Sequence, residues 1–364
     1  MASAQVPAVF GSLAAGRFHT CGVLSDGTLR CWGANDVGQL GTGDTRDRLL
    51  PRRVRGVHFP AVGLAAGEGH GCAITHRRVL RCWGDNATGQ LGDGTTIRRP
   101  RAVGLAGPRR WTTAVSAGID HTCALTAGNG VRCWGANDEG QVGDGTNVTR
   151  LVPVDVSGLT RRQRVVQAGY RFACALDVVG AVRCWGSNAT RGLGDGGAAA
   201  RNVPGLVSGL SSGVAALGVG VNHACVIDAA GAVLCWGDNA FGQLGNGAAG
   251  PEAARVPVPV QGLPGPAVMI AAGGGHSCAV VGAAVYCWGW NVQGQLGDGT
   301  ITDRLTAVAV GGLPGVPTVL TLGDVSSCAL MVNGEALCWG GNDRGQLGIG
   351  DTSARLVPTP VRMP

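Results

Sequence analysis

The sequence predicts an all-β protein, a single seven-bladed β-propeller with four-stranded blades that occupies residues 1–364. The first observation is a pattern with a period near 51 residues that recurs seven times, first as GRFHTCGVLSDGTLRCWGANDVGQLG from Gly16 to Gly41. The second is that each repeat alternates short extended segments with glycine-rich turns and lacks helical periodicity. The third is the content of 65 glycines, which indicates many tight turns. A closed ring of such blades buries its core between repeats, so this length needs no division into domains.

In the first repeat we expect an incoming strand from about Ala8 to Ala15, then a hairpin, the polar loop ANDVGQLGTGD and an outer segment that ends near Val54. The seventh repeat ends at LVPTPVRMP without the incoming strand of an eighth repeat. We expect Ala8–Ala15 to supply that missing strand. The two termini would then complete one blade and close the ring.

The hairpin of each repeat is predicted from its loop length. In the first repeat a three-residue loop, Ser25–Gly27, pairs the flanking strands, and loops of this length favour a left-handed third residue. Arg78 does not fit that position, so we expect strain or another turn in the second hairpin. In the sixth repeat a two-residue loop at Gly282 and Ala283 predicts a type II′ turn. In five hairpins the third loop residue is of a type that tolerates the left-handed conformation: Gly27, Asn129, Gly180, Gly231 and Gly334.

The 14 cysteines form seven pairs with none left over. The hairpin loops place the two cysteines of each pair directly opposite on antiparallel strands, where Cα atoms are about 4.5–5.5 Å apart. This range overlaps the one that a disulfide needs. We predict seven cross-strand disulfides: Cys21–Cys31, Cys72–Cys82, Cys123–Cys133, Cys174–Cys184, Cys225–Cys235, Cys278–Cys287 and Cys328–Cys338.

The cysteines have three alternative roles. Zinc sites use shorter spacings, and a redox centre would concentrate its cysteines in one exposed motif. Buried free thiols in a cytosolic protein stay open as an alternative. The disulfides would place the protein in an oxidising compartment, secreted or periplasmic, whereas free thiols would indicate the cytoplasm.

All 29 basic residues are arginines, which excludes a Schiff-base or phosphate-loop lysine. Met1–Arg201 carries 24 Arg against 14 Asp and Glu, and Asn202–Pro364 carries 5 against 9. In a ring this predicts a basic sector over blades one to four, unless the charges are merely spread over solvated loops. No apolar stretch approaches the roughly 18 residues of a membrane span, and Met1–Phe10 lacks the make-up of a signal peptide.

A tryptophan follows the second cysteine of every repeat. Strand alternation directs each indole away from the disulfide, toward a side where neighbours such as Gly22 and Ala73 are small. We therefore expect the tryptophans to be core residues that pack between blades. They are Trp32, Trp83, Trp134, Trp185, Trp236, Trp288 and Trp339.

A histidine lies two residues before the first cysteine in five repeats. One hypothesis is a ring of imidazoles near the central channel that binds a metal ion or an anion. The favoured alternative is that each histidine holds a neighbouring turn by hydrogen bonds, because a tight metal site needs three or four converging ligands. The five candidates are His19, His70, His121, His223 and His276.

The repeat G-x-x-H-x-x-A-L, followed by x-C-W-G-x-N-x-x-G-Q-L-G, resembles the regulator of chromosome condensation family of seven-bladed propellers, in a bacterial type with paired cysteines in each blade. The resemblance covers essentially the whole chain and implies the propeller fold. In that family the fold hosts nucleotide exchange on a small nuclear GTPase, ultraviolet perception through tryptophan clusters and inhibition of β-lactamase by a secreted bacterial protein. The fold alone therefore does not select a function.

Function is better sought where the repeat is broken, since repeated residues serve the fold. The departures are rich in arginine and aromatic residues, the types enriched at protein-binding hot spots, although loop drift would also produce them. The candidate partner-binding residues are Arg109, Arg110, Trp111, Arg161, Arg162, Arg164, Tyr170, Arg171, Phe172 and Arg191.

The leading hypothesis is a non-enzymatic, monomeric propeller, secreted or periplasmic, that presents the loops of one face to an acidic protein partner. Its first rival is a guanine nucleotide exchange factor, against which stand repeats of 50 to 53 residues that leave no room for an inserted wedge. Its second rival is a metal-binding or enzymatic propeller that uses the histidine ring. We expect no cofactor, no nucleic-acid partner and no catalytic residue.

Overall fold

The computed structural model describes residues 9–107, 111–250 and 254–364. These residues form 28 strands in seven four-stranded antiparallel sheets, with no helix among them that could span a membrane. The predicted seven-bladed propeller is confirmed.

The strands of the first four blades have the following bounds. Blade one holds β1 Phe10–Ala15, β2 His19–Leu24, β3 Leu29–Gly33 and β4 Arg48–Arg53. Blade two holds β5 Ala61–Ala66, β6 His70–Thr75, β7 Leu80–Gly84 and β8 Arg99–Gly104. Blade three holds β9 Thr112–Ala117, β10 His121–Thr126, β11 Val131–Gly135 and β12 Arg150–Asp155. Blade four holds β13 Gln163–Ala168, β14 Phe172–Asp177, β15 Val182–Gly186 and β16 Arg201–Leu206.

The remaining three blades repeat this arrangement. Blade five holds β17 Val214–Val219, β18 His223–Asp228, β19 Val233–Gly237 and β20 Ala254–Pro259. Blade six holds β21 Ala267–Ala272, β22 His276–Val281, β23 Ala284–Gly289 and β24 Arg304–Ala309. Blade seven holds β25 Pro317–Leu322, β26 Ser326–Met331, β27 Ala336–Gly340 and β28 Arg355–Pro360.

Each blade is a meander in which consecutive strands are neighbours, so its first strand lines the central channel and its fourth strand forms the outer rim. The connections between strands one and two, and between strands three and four, therefore lie at one end of the ring, here called the loop face. The short hairpins between strands two and three, and the linkers between blades, lie at the other end, here called the hairpin face. This division decides which side chains can act together.

The ring closes where blade one packs against blade seven. The Phe10 amide donates to the Gly334 carbonyl at 2.9 Å, and the Ala15 amide donates to Thr321 Oγ1 at 2.9 Å. Ring closure at the termini is confirmed, but the expectation that the termini share a blade is wrong. Strand β1 pairs with β2, and the seventh blade is complete with β25–β28, because the repeat begins with its inner strand.

The core lies between blades, as the tryptophan pattern predicts. All seven repeat tryptophans are fully buried. Each indole Nε1 donates to a backbone carbonyl in the preceding blade's loop, as Trp83 does to Gln39 at 2.8 Å. Trp32 makes the same bond to Gln346 across the closure at 2.9 Å, so the terminal blades meet as all other neighbours do. The other five donate in the same way to Gln90, Gln141, Gly192, Gln243 and Gln295.

The seven predicted cysteine pairs lie at disulfide distance, with S–S separations of 2.05–2.17 Å and Cα–Cα separations of 4.0–4.1 Å. The hairpin predictions are also confirmed, since the third loop residue has a positive φ, 79° at Gly27. Arg78 keeps the same turn with φ 58°, so its hairpin is strained, as a non-glycine residue in this region requires. Gly282 opens a two-residue loop with φ 56°, which suits the type II′ turn.

Candidate partner-binding site

The candidate partner-binding residues do not form one surface. Trp111, Arg161, Arg162 and Arg164 belong to linkers or to the first residues of an inner strand, at the hairpin face. Arg109 and Arg110 lie outside the described residues. Those at the loop face or in the core are Tyr170, Arg171, Phe172 and Arg191.

At the hairpin face, backbone hydrogen bonds connect exposed hairpins and linkers of blades two to four. Trp111 is 66% exposed, and its carbonyl accepts the Ala127 amide of the third hairpin at 2.9 Å. The next residue, Thr112, donates its amide to Arg78 of the second hairpin at 3.1 Å. The Gln163 amide donates to Asn129 of the third hairpin at 2.9 Å, and the Val178 amide of the fourth hairpin donates to the Arg162 carbonyl at 2.9 Å. We call nine exposed residues of these hairpins and linkers the hairpin strip: Phe59, His76, Arg77, Arg78, Trp111, Arg161, Arg162, Val178 and Val179.

The sequence analysis missed the end of the strip in blade two. The Arg77 guanidinium lies 4.1 Å from the centre of the Phe59 ring, a cation–π contact, and His76 meets the same ring edge-on. The sequence does contain a signal for this end of the strip. Phe59 precedes Arg110 by 51 residues, one repeat period, so the two residues are equivalent in the repeat and Arg110 was already a candidate. The second hairpin, with His76, Arg77 and Arg78, also departs from the repeat.

Arg161 and Arg162 are both exposed, and neither forms an ion pair within the described part of the chain. Arg162 has φ 67°, a left-handed conformation that costs a non-glycine residue about 1 kcal/mol or more. Arg164 differs, because its guanidinium donates to the carbonyls of Asp177 and Val214. Arg164 therefore holds blade four to blade five, and of these three described arginines Arg161 and Arg162 are the two with unpaired charge.

The departures in blade four at the loop face have a packing explanation. Phe172 replaces the histidine and is buried, and Gly192 replaces the glutamine of GQLG. A Cβ on Gly192 would lie 3.3 Å from the Phe172 ring, so the larger ring and the missing side chain compensate each other. Arg191 stands where other blades have glycine and keeps its positive φ, 62°. Arg171 forms an ion pair with Asp138 at 3.0 Å.

The five histidines are buried and do not converge. Burial lowers the pKa of His19, His121 and His223 to about 4, and the pKa of His70 and His276 to about 3, with a smaller contribution from neighbouring histidines. The imidazoles are therefore neutral near pH 7. No three His, Cys, Asp or Glu side chains within residues 9–107, 111–250 and 254–364 are placed to hold a metal ion.

The described connections give the two faces opposite charge. The connections at the loop face carry 17 acidic residues and six arginines. Six further arginines lie near the starts of outer strands and pair with carboxylates of these loops, as Arg99 does with Asp93. The described connections at the hairpin face carry six arginines and only Asp26 and Glu335. Charge therefore varies across the ring as well as around it, and the basic character of blades one to four belongs to the hairpin face and the rim.

The central channel encloses about 570 Å³ and is lined by the inner strands. Toward the loop face, seven glycines come so close that a Cβ on each would lie 2.3–2.6 Å from the next glycine's carbonyl oxygen, as Gly16 does to Gly67. At this mouth Arg17 pairs with Glu68 and with Asp324, which joins blades one, two and seven. Close packing therefore accounts for the seven glycines, and closure of the ring accounts for Arg17 and its two carboxylate partners.

Comparisons with known proteins agree with the fold. Residues 78–364 match the RCC1-like domain, and residues 12–39 and 26–74 match the regulator of chromosome condensation (RCC1) repeat. The ultraviolet-B receptor UVR8 of Arabidopsis thaliana is 29% identical, over 95% of this chain and 80% of its own length. The secretion-regulating guanine nucleotide exchange factor of Mus musculus is 31% identical, over 85% of this chain and 73% of its own. Prp20p of Saccharomyces cerevisiae, 20% identical, superimposes with a TM-score of 0.82 over 98% of this chain and 87% of that chain, which shows the fold alone.

Proposed function

Because the chain belongs to the RCC1-like family of repeat propellers, we propose that it is a non-enzymatic binding module that captures an acidic protein partner on the hairpin strip of blades two to four. The observation that carries the proposal is Trp111, a large aromatic side chain 66% exposed in a basic surface. Leaving an indole in water costs hydrophobic free energy that a partner would recover.

The composition of the strip supports a protein partner. Tryptophan and arginine dominate the energetics of protein interfaces, and apolar side chains around them exclude water. Trp111 and Arg77 supply the first two types, and Val178 and Val179 are 51% and 52% exposed. The uncompensated charge of Arg161 and Arg162 favours a partner with an acidic surface, which would be steered to this face over longer distances.

The placement can be tested by photo-crosslinking in extracts of the source cells. A photoreactive amino acid at Trp111 should give adducts that disappear in Arg161→Glu/Arg162→Glu, because charge reversal repels an acidic partner. The same amino acid at Val292, at the loop face, is the matched control and should give none of these adducts. Adducts that are the same from both positions, or that survive the charge reversal, would contradict the hairpin strip.

Nucleotide exchange is the outcome that would replace this proposal. The mouse relative is named a guanine nucleotide exchange factor. Purified small GTPases should release bound nucleotide at the same rate with and without the propeller. Faster release that is lost in a Trp111→Ala variant would assign exchange to the same surface.

We also propose an oxidising compartment, secreted or periplasmic, for this protein. Support comes from the cysteines, all 14 of which are paired at disulfide distance in the interior. Free-thiol titration of the denatured, unreduced protein from its native host should find none. Fourteen free thiols would instead indicate a reducing cytoplasm.

A further inference from the structure

A second basic surface lies on the outer rim of blade one, and its lining ends at His58, next to Phe59 of the hairpin strip. A groove of about 780 Å³ follows the exposed edge of β4, and we call it the rim groove. Asp44 is the only carboxylate among its described lining residues. Its arginines are Arg30, Arg46, Arg48, Arg52, Arg53 and Arg55.

The pairing of β3 with β4 brings like charges together in the rim groove. Arg30 lies directly opposite Arg53, and like charges so placed destabilise a sheet. In blade three the same two positions hold Arg132 and Asp155, which form an ion pair at 2.7 Å. Arg30 Nε is also buried without a hydrogen-bond partner, although its NH1 donates to the Pro51 carbonyl at 3.3 Å. Blade one therefore lacks the anion that blade three builds into its own strand.

The propeller does not need four of these arginines, Arg46, Arg52, Arg53 and Arg55. Asn35 Nδ2 donates to the Arg46 carbonyl, and the residues at that loop position in other blades are neutral, such as Ile97 and Val148. The places of Arg52, Arg53 and Arg55 are likewise filled elsewhere by neutral or acidic residues, except for Arg362. In blades two and three they are Val103, Gly104, Ala106, Val154, Asp155 and Ser157.

The charge of the rim groove is not cancelled by its neighbours. Asp44 is occupied by Arg48 at 2.6 Å and by the side chains of Asn35 and Thr42. Asp26, at the hairpin end, has its pKa lowered by hydrogen bonds from Thr28 and, to a smaller extent, by Arg30 and Arg53. Within the described residues no ion pair involves Arg46, Arg52, Arg53 or Arg55.

We propose that the rim groove binds an oligophosphate, a ligand with two or more linked phosphate groups. Guanidinium groups bind phosphate oxygens in pairs of parallel hydrogen bonds. Arg30 and Arg53 lie on one side of the β4 edge, and Arg52 lies on the other with Cys31. A chain of phosphates along the edge can be held from both sides, and its first phosphate would separate Arg30 from Arg53.

Isothermal titration of the full chain with sodium tripolyphosphate at low ionic strength tests the proposal. We expect binding of the wild type, at least tenfold weaker binding of orthophosphate, and a loss of roughly 30-fold or more in affinity in Arg52→Gln/Arg53→Gln, since charged hydrogen bonds are among the stronger ones. The matched control, Arg255→Gln/Arg362→Gln, removes the same charge from two other exposed arginines and should change affinity less than threefold. An equal loss in both variants would show that only net charge matters and would overturn the proposal.

The variant Arg53→Asp separates binding from folding. It copies the Arg132–Asp155 arrangement of blade three, so its thermal midpoint should equal or exceed that of the wild type while tripolyphosphate binding is lost. Unchanged binding in Arg53→Asp would overturn the site. Binding of a 20-nucleotide single-stranded DNA by a wild type that ignores tripolyphosphate would also overturn it, in favour of a nucleic acid.

Discussion

Whether a buried histidine is satisfied depends on one residue in the next blade. His70, His223 and His276 each have Nε2 within 2.8–2.9 Å of a hydroxyl, on Thr122, Ser277 and Ser327. The residue facing His19 at that position is Gly71 and the one facing His121 is Ala173, and both nitrogens of these two histidines lack partners. Three of the five histidines thus join blades by hydrogen bonds, where the sequence analysis expected them to hold turns.

A single hydroxyl should therefore stabilise the protein. In Ala173→Ser the new Oγ can accept a hydrogen bond from His121 and donate to the Gln141 carbonyl, as Thr122 does to Gln90. We expect a gain of about 1 kcal/mol in the free energy of unfolding, measured in denaturant at pH 7.5. Ala224→Ser, which faces Phe172, is the control and should gain less. Equal gains in both variants would contradict the histidine contact.

The buried histidines also predict acid sensitivity. Their pKa falls from an ordinary 6.5 to about 3–4 on folding, so protons bind the unfolded chain first. The free energy of unfolding therefore has its full value above about pH 6.5. It decreases as the pH falls toward the folded-state pKa values of about 3–4, by up to roughly 1.4 kcal/mol per pH unit for each histidine.

The variant His276→Ser, which copies Ser326 of blade seven, isolates one histidine. Its free energy of unfolding should fall less steeply between pH 6.5 and 5 than that of the wild type, by up to roughly 1.4 kcal/mol per pH unit, although it starts lower at pH 7.5. The measurement is denaturant unfolding at several pH values. Parallel pH profiles would show that His276 is not neutral in the folded protein.

At the scale of the single element, blade four shows how a repeat drifts without losing its packing. The loop glutamine is gone, yet the Gly192 carbonyl still accepts the Trp236 indole at 2.8 Å. The space left by the glutamine side chain is taken by the Phe172 ring. The two substitutions therefore act as one exchange, and Phe172 is a core residue with no role in a binding surface.

A double-mutant cycle tests this exchange. Gly192→Gln should destabilise by about 1–3 kcal/mol, because the new side chain meets the Phe172 ring. Phe172→His alone leaves a gap and should also destabilise. The double variant restores the common repeat. Its loss of unfolding free energy should be smaller than the sum of the two single losses by at least about 1 kcal/mol, in thermal or chemical unfolding. Additive effects would mean that the two residues are independent.

In the whole molecule, the closure between blades one and seven resembles every other contact between blades. Six linkers of seven residues, such as 54–60 and 207–213, join consecutive blades. Between blades seven and one there is no linker, and hydrogen bonds and the ion pair of Arg17 with Asp324 connect the two blades. Each blade is also contiguous in sequence. Stability should therefore depend little on which linker is open.

A circular permutant provides the test. Joining Pro364 to Met1 and opening the chain between Ser208 and Gly209 places 13 residues between β28 and β1, more than the seven of any natural linker. We expect a folded protein with a midpoint of thermal unfolding close to that of the wild type, followed by circular dichroism. A second permutant opened between Val179 and Gly180, inside a blade, should be clearly less stable. Equal loss in both would contradict the blade as the unit of folding.

The sequence by itself determined the blades and their number. The period, the opposed cysteines and the tryptophans depend on residues close together in the chain, where strand alternation and turn length fix the geometry. The same reasoning could not tell that Arg162 and Arg171 face opposite ends of the ring, or that Arg164 and Phe172 belong to the packing of neighbouring blades. It also did not predict that Arg53 faces Arg30, because the register of β3 and β4 does not follow from the sequence of the long loop that joins them. These relations depend on contacts between strands and blades far apart in sequence, and only the closed ring decides them.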